Sequence, residues 1–158
     1  MEQQKKYISK EAALQKLQAY CAYQERCHQE VTAKLRDLGM YGDYADEIIA
    51  KLIVDNFLNE ERFACAYARG KFRIKQWGKI RIRQELKARY IPEYSIKKAM
   101  LEIDNEGGYF ETLENVIKTK SKDYANNFQK KQKLATYAMQ RGFEAELVWE
   151  ALANLEYK

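Results

Sequence analysis

The sequence predicts an all-α protein of three tandem three-helix repeat units forming an elongated, curved molecule. Three observations carry that prediction. Seven Gly and a single Pro in 158 residues leave few strand or turn signals, and Ala, Leu, Glu, Lys, Gln and Arg, the better helix formers, dominate. Apolar residues recur at intervals of three and four through nearly the whole chain. Finally, the helix ending at Gly39 can be laid on those ending at Tyr90 and Gly142, with Leu35, Leu86 and Ala138 four residues before each end, 51 and 52 residues apart. Leu52, Met100 and Leu152 repeat in the next helix, at separations of 48 and 52. The expected units are 1–57, 58–104 and 109–158. A period of about 50 separates them from tetratricopeptide repeats, whose unit is about 34 residues. Each is too small to bury a large core alone, so contacts between units must supply much of the stability.

The elements follow in order. Ser9 caps a first helix expected to run to about residue 27, with Ala13, Leu17 and Tyr20 on one side. Val31, Leu35 and Leu38 define a second, stopped at Gly39, and Tyr41-Gly42-Asp43 reads as a turn. Ile48, Ile49, Leu52 and Ile53 make a third, ending near Asn56. Asn59 caps the fourth, with Glu60 and Glu61 in its first turn and a stripe of Phe63, Ala66, Tyr67, Gly70 and Ile74. Trp77-Gly78 breaks it. Ile82 and Leu86 define the fifth, and Pro92 opens the sixth, carried by Ile96, Ala99, Met100 and Ile103. After a linker at Asp104–Gly108, a long seventh helix is expected through Phe110, Leu113, Ile117, Ser121, Tyr124 and Phe128. Leu134, Tyr137 and Ala138 give the eighth helix, and Leu147, Val148, Ala151, Leu152 and Leu155 the ninth.

Charge is concentrated. Residues 69–98 hold 11 Lys/Arg against Glu85 and Glu93, a local +9 in a chain of net +5, so the remainder sums to −4. A fold does not need that asymmetry, whereas a polyanion or an acidic partner exploits it. The candidate contact residues are Arg69, Lys71, Arg73, Lys75, Arg81 and Arg89, together with the row Lys79, Arg83, Lys87 at i, i+4, i+8 on one helix side. Lys118, Lys120, Lys122, Lys130, Lys131 and Lys133 form a second basic patch opposed only by Asp123, and Lys130, Lys131 and Lys133 are its candidate contact residues. Trp77, between Lys75 and Lys79, has two roles open to it: stacking on a base, or packing as a hinge between helices.

Other chemistries find little support. No segment offers the roughly 18 apolar residues needed to cross a bilayer, and a cytoplasmic protein is expected. Cys21, Cys27 and Cys65 are odd in number and lack C-x-x-C spacing, which fits reduced thiols better than disulfides or a zinc site with His28. There is no phosphate-binding G-x-x-x-x-G-K-[ST], no G-x-G-x-x-G, and a single histidine. The carboxylates Asp43, Asp46 and Glu47 stand without a second cluster to complete a Mg²⁺ site. Neither an enzyme nor a cofactor is expected.

Two stretches carry a resemblance. Leu58-Asn59-Glu60-Glu61-Arg62-Phe63-Ala64 is similar to the L-D-D-x-R-F-A signature of the RecX regulators of the RecA recombinase. Gly78 to Ile91, with Ile82, Glu85 and Leu86, resembles that family's G-x-x-x-I-x-x-E-L-x-x-x-G-I. Asn59 and Glu60 replace the paired aspartates, and Tyr90 the usual glycine. The resemblance implies a bacterial protein that binds the RecA filament on DNA along its groove and modulates ATPase, strand exchange and coprotease activity, usually by inhibition, within recombination, repair and the SOS response. It implies no catalytic residues. A monomer is expected, with RecA and weakly held or filament-associated DNA as partners and no membrane. The rival is a helical DNA-binding or scaffold protein with no recombinase partner. Arg62 either touches the filament or orients the cap beside Glu60 and Glu61, the latter favoured.

Circular dichroism should show nearly pure helix, and small-angle scattering a particle longer than a sphere of 158 residues. A sheet signal, or the radius of a sphere, contradicts the repeat architecture.

Overall fold

The computed structural model describes residues 8–156, which fold into nine α-helices. Local side-chain chemistry sets most of their ends. Helix α1 (Lys10–Tyr23) starts at Ser9, whose Oγ accepts the Ala12 N–H at 3.1 Å. It stops short of the expected residue 27 because Gln24 turns extended, φ −157°. There the Arg26 guanidinium lies 3.6 Å from the Tyr20 ring centroid, and its Nε donates to the Tyr20 carbonyl at 3.0 Å, satisfying an orphan of the last turn. Cys27 is then the N-cap of α2 (His28–Asp37), its N–H donating to Glu30 Oε1. Helix α3 (Gly42–Val54) absorbs the expected turn: Tyr41 is its N-cap and Gly42 its first residue.

The described chain divides into two bodies that do not follow the three repeats one to one. One comprises the chain up to Phe63 together with Arg89–Ile91, the other Ala64–Ala88 together with Pro92–Lys158. In the first body, Ala13 and Leu17 of α1, Val31 and Leu35 of α2, and Ile48 and Leu52 of α3 form one closed core. Asn59 Oδ1 accepts the Arg62 N–H at 2.9 Å, the cap expected at the start of α4 (Glu60–Arg73). The Arg62 guanidinium turns back instead of outward, pairing with Glu25 and donating to Asn56 Oδ1 at 3.1 Å and the Asn56 carbonyl at 3.0 Å. It clasps a turn in which Asn56 itself is left-handed, φ 63°.

The second body holds the rest of α4, then α5 (Lys79–Ala88), α6 (Glu93–Glu106), α7 (Tyr109–Ser121), α8 (Lys130–Gln140) and α9 (Ala145–Glu156). On α4 the buried line is Ala64, Ala68 and Phe72; Ile74 lies beyond the helix end and is 80% exposed. The chain turns there because the Trp77 N–H reaches back to the Lys71 carbonyl at 3.2 Å. Pro92 is the N-cap of α6, one position before the expected one, and α6 runs through most of the expected linker to leave only Gly107 and Gly108. Helix α7 also ends sooner than its apolar rhythm suggests. Asn127 Oδ1 accepts the Gln129 N–H at 2.9 Å, an Asx turn that competes with helix, and Phe128 is 91% exposed.

Helices α2, α5 and α8 end alike. Gly39, Tyr90 and Gly142 are all left-handed, with φ of 78°, 59° and 100°. Met40 and Phe143 each donate back five residues, to the Leu35 and Ala138 carbonyls. The aligned residues Leu35, Leu86 and Ala138 are fully buried. The similarity read along the sequence is thus also one of backbone conformation.

One junction in the second body joins the turn before α5 to the turn after α8. Gly78 N–H donates to the Arg141 carbonyl at 2.8 Å, and Ile80 N–H to the Gly142 carbonyl at 3.0 Å. Lys79 N–H donates to Tyr109 Oη at 3.0 Å. Three donors that α5 cannot satisfy internally are therefore met by groups from the third repeat. A Cβ on Gly78 would overlap the Gly142 carbonyl carbon, and one on Gly142 would overlap Arg81. The Tyr109 ring packs against Phe72 and Phe143, with centroids at 5.7 and 5.4 Å. Its hydroxyl donates to Glu144 Oε2 at 2.8 Å. Burial, with the Glu144 charge adding to it, pushes the Tyr109 phenol well above its ordinary pKa, so it remains a donor at every physiological pH.

Tyr109→Phe removes one acceptor and one donor from this junction and should cost about 1–3 kcal/mol. Urea unfolding should show a lower midpoint with helix content retained; an unchanged midpoint would mean that the junction contributes no stability. Tyr90 carries a side chain, 82% exposed, in a backbone region that penalises Cβ. Tyr90→Gly should stabilise the protein by about 0.5–1 kcal/mol, the relief of the left-handed strain less the extra entropy of glycine. A thermal melt that moves down instead would assign the exposed ring a supporting contact.

Candidate nucleic-acid and partner interface

The basic segment of the second repeat is less bare than its linear count suggests. Arg69 Nη1 lies 3.1 Å from Glu102 Oε2, and Arg73 Nε donates to Glu106 Oε2 at 2.9 Å. Lys79 pairs with Asp104 and Arg83 with Glu93. All four acids belong to α6, and three of them lie beyond the window in which the charge was counted. Arg83 holds the Glu93 carboxyl below its usual range. The row Lys79, Arg83, Lys87 lines a concavity of about 420 Å³ together with Met100 and Glu144, and within it only Lys87 has no described carboxylate partner. Lys79 Nζ also sits 4.8 Å from the Tyr109 ring centroid.

Further cations gather around aromatic rings elsewhere in the same body, and of these Lys71, Arg81, Lys133 and Arg141 have no carboxylate partner among the described residues. Arg81 and Lys71 approach the Trp77 ring at 4.1 and 5.0 Å, and Lys71 lies 5.4 Å from Tyr67. Trp77 is half-buried, so the hinge role holds for part of its surface. The Arg141 guanidinium bonds the Lys75 carbonyl and lies 5.6 Å from Tyr137. Lys120, paired with Asp123 at 3.3 Å, stands 4.8 Å from Tyr137 and 5.6 Å from Tyr124, and Lys133 stands 5.8 Å from Tyr124. Tyr124, Lys133 and Tyr137 line a hollow of about 230 Å³. The chain of contacts Tyr67, Lys71, Trp77, Arg81 and then Arg141, Tyr137, Lys120, Tyr124 follows the Gly78–Gly142 junction. Rings that stack and cations that neutralise are what an extended phosphate chain requires.

Of these residues, Lys71, Trp77, Arg81 and Lys133 are candidates on sequence alone, whereas Tyr67, Tyr124 and Tyr137 are expected only as helix-stripe residues and Arg141 only at a helix end. The available signal was the spacing Lys133, Tyr137, Arg141 at i, i+4, i+8 on α8, which the apolar stripe of Leu134 and Ala138 obscured. Lys130 and Lys131 point their amines to Asn126 Oδ1, at 2.8 Å, and Glu156, at 3.1 Å. Arg89 and Tyr90 lie in the first body, around a hollow of about 540 Å³ with His28 and Glu60. His28 Nδ1 is 3.7 Å from Glu60 Oε1, and burial raises the Glu60 pKa.

The motif residues are scaffold. Leu58, Phe63, Ala64, Ile82 and Leu86 are buried, Asn59 caps, Arg62 clasps and Gly78 allows the junction. Cys21 and Cys27 are buried free thiols whose pKa values burial raises, and Cys65 is a half-buried free thiol. Among the described residues, no three His, Cys, Asp or Glu side chains gather as a metal site would require. No helix among them is long and apolar enough to cross a membrane.

Comparison with known proteins gives this arrangement its family. Residues 59–100 match the model of the second three-helix domain of RecX, and residues 108–152 that of the third. The "Regulatory protein RecX" of Bacillus cytotoxicus is 29% identical over 139 residues, covering 87% of this chain and 52% of that protein. That of Prosthecochloris aestuarii is 24% identical over 143 residues, covering 90% of this chain and 93% of that one. The chain thus spans about half the length of the Bacillus relatives and nearly all of the Prosthecochloris protein. The crystal structure of RecX from Lactobacillus salivarius superposes with a TM-score of 0.81 at 22% identity, covering 94% of this chain and 97% of that one. A second RecX regulatory-protein structure gives 0.78 at 20%, covering 92% and 73%. With both domain models matching in order and in place, the chain belongs to the RecX family.

Proposed function

We propose that this protein regulates a RecA recombinase by binding the recombinase–DNA filament along its groove, and that its usual effect is inhibition of ATPase, strand exchange and coprotease activity. The family assignment supports the partner. The cation and aromatic strip of the second body supports contact with nucleic acid, since it supplies fixed positive charge and ring faces without a catalytic constellation. A cytoplasmic site of action follows from that partner. The protein acts as a regulator and not as an enzyme.

Titration into a RecA-coated single-stranded DNA ATPase assay tests the partner. Reduced hydrolysis is expected; unchanged hydrolysis, filament stability and strand exchange at saturating protein reject the reading and favour a helical DNA-binding or scaffold protein. The contact surface is tested by salt dependence. Combined Lys71→Ala, Arg81→Ala and Lys133→Ala should flatten the logarithmic salt slope of single-strand binding by about 2 units, at about 0.7 per neutralised phosphate. The same treatment of Lys79, Arg83 and Lys87 should flatten it by about 1 or less, because two of those charges are held by Asp104 and Glu93. Helicity should survive both, alanine being the best helix former. Equal slopes for both variants and the parent would remove these residues from the interface.

A further inference from the structure

The third repeat carries a second copy of the seat that it fills on the second repeat. The ion pair Lys79–Asp104 recurs 52 residues later as Lys131–Glu156, at 3.1 Å. Ile82, Met100 and Ile103 recur at the same spacing as Leu134, Leu152 and Leu155. Arg69 and Arg73 on α4 recur 49 residues on as Lys118 and Lys122, on α7 and at its C-cap. On the second repeat, Lys79 and the neighbouring Phe72 hold Tyr109, and Gly78 meets the turn at Gly142. On the third, Ile117, Leu134, Leu152 and Leu155 form the floor of an open groove of about 790 Å³, rimmed by Lys118, Lys122, Lys130 and Lys131. The exposed Phe128 follows Asn127 at its edge. In a tandem array such a face is normally covered by a neighbouring repeat.

The electrostatics of the two seats differ in one respect. Glu102 balances Arg69 on the second repeat, whereas the residue 52 positions later is Asn154. The groove of the third repeat therefore has four lysines and one lining carboxylate, Glu156. Its occupant must be acidic and partly apolar. The docking edge that fills the second repeat's seat has that chemistry, with the phenol of Tyr109, the carboxylate of Glu144 and a helix-ending turn at Gly142.

The first repeat has an edge of the same kind. Gly39 ends α2 in the left-handed conformation with open space where a Cβ would stand. Beside it, Tyr41 and Tyr44 are 64% and 63% exposed, and Asp43 and Asp46 are exposed in the first turns of α3. Around this edge, residues 37–50 hold four Asp/Glu and no Lys/Arg, a local charge that complements the groove. We propose that the groove of the third repeat receives the first repeat of a second copy of this chain, so that copies associate head to tail. Such a contact joins two different surfaces and grows into an open chain or a ring instead of stopping at a twofold dimer.

Sedimentation velocity on the full chain alone, across a concentration series at low salt, tests this without any recombinase. The average mass should climb past that of a dimer, and added salt should reverse the climb. Lys118→Ala with Lys122→Ala should spoil the groove, and Asp43→Ala with Asp46→Ala the edge, each weakening self-association roughly tenfold or more. Mixed together, the two variants should form a one-to-one complex and nothing larger, since one retains the edge and the other the groove. A parent that stays monomeric to millimolar concentration overturns the proposal, as does association that neither variant weakens, or a mixture that forms no complex. If the parent is monomeric and the groove variant loses binding to a recombinase filament, the groove serves an acidic surface of that partner instead.

Discussion

The contact on which the second body depends is the crossing of two glycines. At Gly78 and Gly142 the backbones approach so closely that either side chain would displace the other strand of chain, and the approach brings two carbonyls to the open end of α5. A helix amino end inside a protein must find acceptors or lose about 1–3 kcal/mol per buried donor. Here the acceptors come from another repeat, with the Tyr109 phenol as the third. Because burial keeps that phenol protonated, it can accept from Lys79 and donate to Glu144 at once. Two small repeats with limited cores thereby become one folding body.

Charge counted along the sequence misjudges charge in space. Helix α6 lies beside the cations of α4 and α5 and places Glu93, Glu102, Asp104 and Glu106 against four of them. These exposed and half-exposed pairs contribute little stability, but they lower the charge a phosphate chain would meet. Among the cations with no described carboxylate partner, Lys71, Arg81, Lys133 and Arg141 stand over aromatic rings. A guanidinium over an indole face remains charged and is held in a narrow range of positions, which lowers the ordering cost of a further contact.

Much of the fold was legible in the sequence because the signals were local. Ser9 and Asn59 cap as their side chains dictate, Gly39 and Gly142 end helices in the region glycine favours, and the 51- and 52-residue spacing marks equivalent buried leucine and alanine positions. Failures came where local patterns competed with contacts distant in sequence. The apolar rhythm through Phe128 continued past Ser121, but the Asn127 side chain offered the backbone another hydrogen bond. Ile74 fitted the α4 stripe by spacing, yet Phe72 was the residue that had a partner ring, Tyr109, 5.7 Å away. In the candidate site, Tyr124 and Tyr137 do pack against the core as their spacing predicts, but periodicity cannot show that the same rings also lie near lysines.

The departures from the family pattern can be judged by what each position does. Asn59 offers its amide oxygen to the Arg62 N–H as an aspartate would offer its carboxylate, and Glu60 and Glu61 keep negative charge in the first turn, so the cap survives the exchange. Tyr90 is different, since a left-handed residue with a Cβ carries strain that glycine would avoid. Its ring does not recover that energy by burial. The matched motifs thus specify capping, clasping and close approach, while the exposed rings and unpaired cations lie largely outside them. Family membership read from those motifs is a statement about scaffold, and the chemistry of recognition has to be argued from the surface the scaffold presents.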